Sequence, residues 1–142
     1  MSVLYVETSA LLSWMLGEPE GEAARTCIDD AETVVTSVLS SIESARALAR
    51  AEQQKILSAK QVQALHGLLR RTVAQWIQME IGQDVRERAS RAFPSEPVRT
   101  LDALHLASAL EFAQAFPQIE LLSFDQRIRD NAEALGLPLA QA

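Results

Sequence analysis

Short apolar runs alternate along the chain with stretches that have a helical period. Continuous apolar runs at residues 3–6, 33–36 and 119–124 are typical of buried β-strands. The clearest helical period covers residues 58–76, and further helices are predicted after Pro19, over residues 83–93 before Pro94, and from Asp125 to Gly136. Residues 75–81 fit either a helix end or a short strand, and residues 137–139 suggest a brief edge strand.

Cap and stop residues predict where several helices begin and end. Thr8 or Ser9 would cap the first helix, which Gly17 would end. Residues 37–41 would open a long helix, and Thr100 would cap a helix that is apolar on nearly every side through Phe116.

The order of these elements predicts an α/β fold. Strands that alternate with helices pair in parallel and are covered by helices on both faces. We therefore expect a three-layer α/β/α domain with a short, mainly parallel central sheet. No repeat or long linker divides the chain, so residues 1–142 are expected to form a single domain. Ligands of such sheets bind beyond the carboxyl ends of the strands.

Composition narrows the classes of function. A net charge of −6 argues against a protein that holds nucleic acid by bulk electrostatics, although nucleic acid remains possible as a substrate. Cys27 is the only cysteine, which excludes an intrachain disulfide, and with only two histidines the chain argues against a zinc site. Neither a basic leader segment nor an apolar stretch of ~20 residues is visible. A cytoplasmic protein without membrane contact is expected.

The candidate chemistry lies in four carboxylates at the edges of apolar runs: Glu7, Glu43, Asp102 and Asp125. Three of them also have ordinary structural explanations. Glu7 precedes a helix whose positive end favours an acid. Glu43 completes a Ser-x-x-Glu capping box that begins at Ser40. Asp125 is a good N-cap residue.

Asp102 fits such explanations least. It lies in the nearly all-apolar helix, where burying an uncompensated carboxylate costs on the order of several kcal/mol. His105, one turn further on, would face the same way and bond to Asp102 or to nearby backbone, as a core histidine rather than a ligand. If all four carboxylates gather at one edge of the sheet, a divalent cation would relieve their repulsion. Oxygen-only ligands favour Mg²⁺ or Mn²⁺.

Several segments taken together resemble the motifs of PIN domains, most closely those of the VapC-type toxins of bacterial toxin–antitoxin pairs. The segments are residues 4–12, 40–43, 99–107, 122–127 and 134–137, in family order along the whole chain. The resemblance implies a ribonuclease that depends on Mg²⁺ or Mn²⁺. It also implies a homodimer, and a cognate antitoxin that occupies the cleft.

The resemblance also implies roles for individual residues. The acidic quartet of the family falls on Glu7, Glu43, Asp102 and Asp125. Metal binding would fall mainly to three of them, Glu7, Asp102 and Asp125, while Glu43 would join a second metal or orient a water molecule. Hydrogen bonds that order the site are expected from Thr8 or Ser9 and from Ser123.

The first acid departs from the family pattern, because Glu7 stands where aspartate is usual. The longer side chain moves the carboxylate by one methylene, and Mg²⁺ demands near-ideal octahedral geometry. Serine at Ser123, where threonine is common, keeps the hydroxyl. The leading hypothesis is a metal-dependent endoribonuclease acting as a toxin. The alternative is a catalytically weakened PIN domain that acts mainly as an antitoxin-binding module. A receiver-like signalling domain is set aside, because no lysine follows Lys60.

Overall fold

The computed structural model describes residues 2–142, in which seven helices and four strands form. The strands are β1 (Val3–Val6), β2 (Thr33–Ser37), β3 (Ile77–Met79) and β4 (Glu120–Leu122). The helices are α1 (Thr8–Met15), α2 (Gly21–Asp30), α3 (Val38–Gln53), α4 (Ala59–Val73), α5 (Gln83–Ala89), α6 (Thr100–Ala115) and α7 (Gln126–Ala134).

The four strands form one parallel sheet in the order β3-β2-β1-β4. In the centre, Leu4 lies beside Val34 on one side and Glu120 on the other. The ambiguous segment 75–81 therefore contributes a strand. The expected edge strand at 137–139 is reduced to a single parallel bridge between Leu139 and Leu121.

Two hydrophobic clusters cover the two faces of the sheet. Side chains alternate along a strand, so Val3 and Tyr5 pack on one face with α6 and α7. Leu4 and Val6 pack on the other face with α1, α2 and α4. This arrangement confirms the predicted three-layer α/β/α fold. None of the helices in residues 2–142 has the length and apolar character needed to cross a membrane. That residues 1–142 form a single domain stays a prediction.

The predicted N-cap of α1 and the capping box considered for Glu43 are wrong, whereas the opening of the long helix within residues 37–41 is confirmed. The N-cap of α1 is Glu7 rather than Thr8 or Ser9, and the Glu7 carboxylate accepts from the backbone N–H of Ser9. The N-cap of α3 is Ser37, whose hydroxyl accepts from the N–H of Leu39. Glu43 therefore lies inside α3, beyond the first turn, and cannot belong to a capping box.

Other boundaries differ less. α6 begins at Thr100, but its N-cap position belongs to Arg99, which makes no side-chain cap bond. α5 ends at Ala89 instead of reaching residue 93, with Ser90 as its C-cap residue. The predicted stops at Gly17 and Gly136 are confirmed, since both adopt positive φ angles just after α1 and α7.

Parallel pairing places the carboxyl ends of β1, β2 and β4 at one edge of the sheet. Glu7 directly follows β1, α3 directly follows β2, and Asp125 begins α7 shortly after β4. The sheet topology therefore positions Glu7, Asp125 and the helix that carries Glu43, whereas Asp102 is carried by α6, which follows α5.

Candidate active site

Glu7 is held by three hydrogen bonds at the start of α1. Its Oε1 accepts from the hydroxyls of Ser9 and Ser123, both at 2.6 Å, and its Oε2 accepts from the backbone N–H of Ser9 at 3.1 Å. Ser123 immediately follows β4, so the carboxylate ties α1 to the end of that strand. The hydrogen bonds expected from Ser9 and Ser123 are present. Glu7 is almost fully buried, and these three hydrogen bonds leave its carboxylate little capacity to accept further ones.

Asp102 and Asp125 share one guanidinium group. Arg99 donates from Nε to Oδ2 of Asp102 at 3.2 Å, and its Nη2 lies 3.8 Å from Oδ2 of Asp125. Asp125 also caps α7, because its Oδ1 accepts from the backbone N–H groups of Arg127 and Ile128. The burial predicted for Asp102 is confirmed, with its side chain 9% exposed. The compensating charge in this structure comes from Arg99.

Glu43 is anchored by a buried histidine. Nε2 of His105 lies 2.6 Å from Oε1 of Glu43, and the hydroxyl of Thr8 donates to the same oxygen at 2.7 Å. Because a carboxylate only accepts, the shared hydrogen belongs to Nε2, and the other ring nitrogen, Nδ1, lies 2.9 Å from the hydroxyl of Tyr5. Burial raises the pKa of Tyr5 well above its usual 10.0, so this hydroxyl keeps its proton.

His105 therefore faces Glu43 rather than Asp102, which corrects the sequence-based expectation. The prediction that it is a satisfied core histidine is confirmed, because both ring nitrogens have partners and the residue is 1% exposed. The hydrogen bond predicted from Thr8 is also present. Thr8 adjoins Glu7 in sequence and therefore links the first acid to the second.

The four acids lie along one network but do not form a preassembled metal cluster. Within residues 2–142, no three groups from His, Cys, Asp and Glu are placed to hold a metal ion. Each acid instead turns toward a donor of the protein. The carboxylate oxygens nevertheless suit a hard cation. Asp102 and Asp125 already share the Arg99 guanidinium as a positive group, and both offer oxygen ligands. Glu7 fits least well, since both of its oxygens accept hydrogen bonds.

A family model for the PIN domain matches residues 4–134 of the chain. The chain belongs to the PIN domain family. Ribonuclease VapC35 of Mycobacterium tuberculosis is 32% identical over 137 residues, which cover 95% of this chain and 93% of that protein. Among solved structures, the sarcin-ricin loop cleaving toxin VapC20 of Mycobacterium tuberculosis superimposes with a TM-score of 0.67 at 15% identity, over 98% of this chain and 99% of that one. The structure of VapBC2 of Rickettsia felis bound to a promoter DNA fragment superimposes with a TM-score of 0.66 at 10% identity, and 97% of each chain is covered.

Two residues of this PIN domain site were not predicted as part of it. Arg99 precedes Asp102 by three positions, which is one helical turn, and that spacing was the available signal. Tyr5 reaches the site through His105, which follows it by 100 positions in sequence. No local pattern could have joined those two residues.

The Glu43 carboxyl gives this PIN domain a specific dependence of stability on pH. Burial alone would raise its pKa, but the hydrogen bond and charge of His105, with smaller contributions from Thr8 and Arg99, lower it below its usual 4.5. A lowered pKa in the folded state stabilises the protein above the unfolded pKa, and that stabilisation is lost as the pH falls through the folded value.

We therefore expect the difference in unfolding free energy between the wild type and Glu43→Gln to reach its full value above the usual carboxyl pKa of 4.5 and to shrink as the pH falls below it. Urea unfolding at several pH values measures it. Glu52→Gln, an exposed position on the same helix, is the matched control and should show no such trend. An unchanged Glu43→Gln difference from pH 7 to pH 3.5 would contradict the assignment.

Proposed function

We propose that this PIN domain is a metal-dependent endoribonuclease that cleaves RNA phosphodiesters and acts as the toxin of a VapBC-type toxin–antitoxin pair. The contact that carries the proposal is the sharing of Arg99 by Asp102 and Asp125, because it shows two carboxylates directed at one positive group. The identity with Ribonuclease VapC35 over nearly the whole chain supports the same reaction class.

The proposed cofactor is Mg²⁺ or Mn²⁺. Asp102 and Asp125 would hold it with oxygen ligands, and Glu7 would contribute if one of its oxygens is released from the serine hydroxyls. When bound, the ion would acidify a water molecule and stabilise the charge that develops on the phosphate. Arg99 contacts Oδ2 of both carboxylates in this structure, so a metal ion bound at those two oxygens would displace its guanidinium.

The residues of the chain supply positioning and proton transfer. Glu43 keeps its carboxylate ionised, because His105 and Thr8 stabilise the charged form. One of its oxygens takes both hydrogen bonds, which leaves the other oxygen available to orient a water molecule or accept its proton. Ser9 and Ser123 fix the edge of the site by joining α1 to the end of β4.

The partners of the proposed toxin follow from the family. A cognate antitoxin that covers the cleft would inhibit it, and a homodimer is the proposed assembly. The VapBC2 structure shows a related toxin and antitoxin together on DNA, although at 10% identity that likeness concerns the fold. An enzyme that acts on cellular RNA would work in the cytoplasm, which is the proposed location.

One observation favours a second candidate, a catalytically weakened domain that mainly binds its antitoxin. Glu7 stands where aspartate is usual in the family, and it uses both carboxylate oxygens on its own helix start and on Ser123. An aspartate side chain is one methylene shorter, so its carboxylate would lie farther from these hydroxyls. It would then have more oxygen lone pairs available to bind a cation.

The experiment compares the wild type with Glu7→Asp in the cleavage of total RNA, with Mg²⁺, with Mn²⁺ and with EDTA. The active-enzyme proposal expects cutting that EDTA abolishes and Mg²⁺ restores, at similar rates in the two proteins. A gain of about a hundredfold in Glu7→Asp would favour the weakened domain, because several kcal/mol of metal-based stabilisation would have been recovered. Equal cutting by the wild type with and without EDTA would reject metal dependence.

A further inference from the structure

A cleft of about 620 Å³ opens beside the acids, between α3 and the start of α6. Glu43 and Asp102 line it together with three arginines, Arg46, Arg50 and Arg99. The cleft therefore combines the carboxylates of the proposed active site with a concentration of positive charge. This is notable in a chain whose net charge is −6.

Two of these arginines have no partner in the protein. Arg99 is paired with Asp102 and Asp125, whereas Arg46 and Arg50 make neither an ion pair nor a side-chain hydrogen bond within residues 2–142. Both are exposed on α3. Unpaired guanidinium groups on the wall of a cleft are available to bind a ligand, and their planar fork suits phosphate oxygens.

The spacing on α3 aligns these arginines with the active site. Glu43, Arg46 and Arg50 follow one another at intervals of three and four residues, so they share one face of the helix. At a rise of ~1.5 Å per residue, Arg46 lies about 4.5 Å and Arg50 about 10.5 Å beyond Glu43 along the helix axis. The positive charges therefore form a stripe that leads away from the carboxylate proposed to orient water.

We propose that Arg46 and Arg50 form a phosphate-binding stripe that holds the RNA backbone on one side of the bond to be cut. This inference rests on the proposed ribonuclease function. A strand whose scissile phosphate lies at Glu43 and Asp102 must continue along the cleft, and these arginines then meet the phosphates of the neighbouring nucleotides. The exposed side chains of Ile42 and Leu101 line the same cleft and offer apolar surface to ribose and base. An RNA strand is favoured over an acidic protein segment because the stripe is continuous with the acids of the site.

The test measures binding separately from cleavage. A fluorescein-labelled single-stranded RNA oligonucleotide of mixed sequence is titrated in EDTA, over a series of salt concentrations, with the wild type and the Arg46→Gln/Arg50→Gln variant. The variant should bind roughly tenfold more weakly. The slope of log K against log salt should fall by about 1.4, which is ~0.7 for each lost phosphate contact. In cleavage assays KM should rise while kcat changes little, because the stripe positions RNA away from the reacting atoms.

Two further variants make the result specific. Arg70→Gln/Arg71→Gln removes two exposed arginines from α4, also without an ion pair, and should leave the binding and its salt slope unchanged. Arg46→Lys/Arg50→Lys keeps the charge and should retain most of the salt slope. Equal RNA affinity and slope in the wild type and the glutamine variant of the stripe would overturn the proposal. So would normal RNA binding combined with a loss of binding to the purified antitoxin, since the stripe would then be a protein-docking surface.

The outcome also separates this inference from the ribonuclease proposal. If the wild type and the glutamine variant of the stripe cleave RNA with the same KM, the phosphate-binding proposal is rejected while the ribonuclease proposal is retained. If the wild type binds RNA with an arginine-dependent salt slope but does not cleave it, the stripe stands and the ribonuclease proposal fails.

Discussion

The Asp102→Asn variant is expected to cleave RNA at least about a hundredfold more slowly than the wild type. Asparagine keeps the shape of the side chain and one acceptor oxygen but loses the charge that would hold a divalent cation. Stabilisation of the transition state by such an ion amounts to several kcal/mol, and each 1.36 kcal/mol corresponds to about a tenfold change in rate. Single-turnover cleavage of labelled RNA in Mg²⁺ measures the effect.

The control for Asp102→Asn is Asp130→Asn, at an exposed aspartate of α7 that bonds only to Gln126. Its rate should match that of the wild type. Calorimetric titration with Mn²⁺ should show weaker binding for Asp102→Asn and unchanged binding for Asp130→Asn. If Asp102→Asn cleaves RNA at the wild-type rate, Asp102 has no catalytic role, and the proposed mechanism loses its main metal-binding residue.

The His105→Leu variant is expected to lose about 2–4 kcal/mol of unfolding free energy. The histidine is fully enclosed, and its replacement deprives both the Tyr5 hydroxyl and the Glu43 carboxylate of a hydrogen-bond partner. Each buried group left without its partner costs about 1–3 kcal/mol. Urea denaturation monitored by circular dichroism gives the value, with His66→Leu on α4 as the matched control, because the His66 residue is only partly buried and its ring makes no hydrogen bond in residues 2–142.

Two further variants separate the role of His105 in stability from its role in orienting Glu43. Tyr5→Phe removes the hydroxyl that bonds to Nδ1 and leaves His105 in place, so it should lower stability while leaving the rate of cleavage within about threefold of the wild type, because Glu43 keeps its own partners. His105→Gln can still donate toward Glu43 and should recover part of the activity that His105→Leu loses. Equal stability of His105→Leu and the wild type would show that the buried network contributes nothing to the fold.

The fold was largely predictable because its signals are local. β1, β2 and β4 read as continuous apolar runs, while β3 was ambiguous, and the alternation of strands with helices leaves few topologies. The helix of residues 100–116 was recognised from its apolar character, and Asp102 within it was correctly expected to be buried. The opening of α3 within residues 37–41 was predicted, but the capping box from Ser40 to Glu43 was wrong, because Ser37 and Ser40 both resemble caps and only the end of β2 at Ser37 decides between them.

The contacts within the site were less predictable because they join distant parts of the chain. Glu43 meets His105 across 62 positions, and Ser123 meets Glu7 across 116. Sequence reasoning placed the acids at one edge, since parallel strands end together there. It could not show which donor each acid would turn toward. The immediate neighbour of Asp102 is Arg99, and this contact was not predicted.

The pairing of β1 with β4 also sets when the site can exist during synthesis. β1 is made long before its partner, which lies at residues 120–122, and the hydroxyl that clamps Glu7 belongs to Ser123. Any nascent or prematurely terminated chain that stops before these residues lacks Asp125 and leaves one side of β1 unpaired. A nascent chain that has not yet reached residue 125 therefore lacks part of the proposed active site. The site can be completed only after β4, Ser123 and Asp125 have been made.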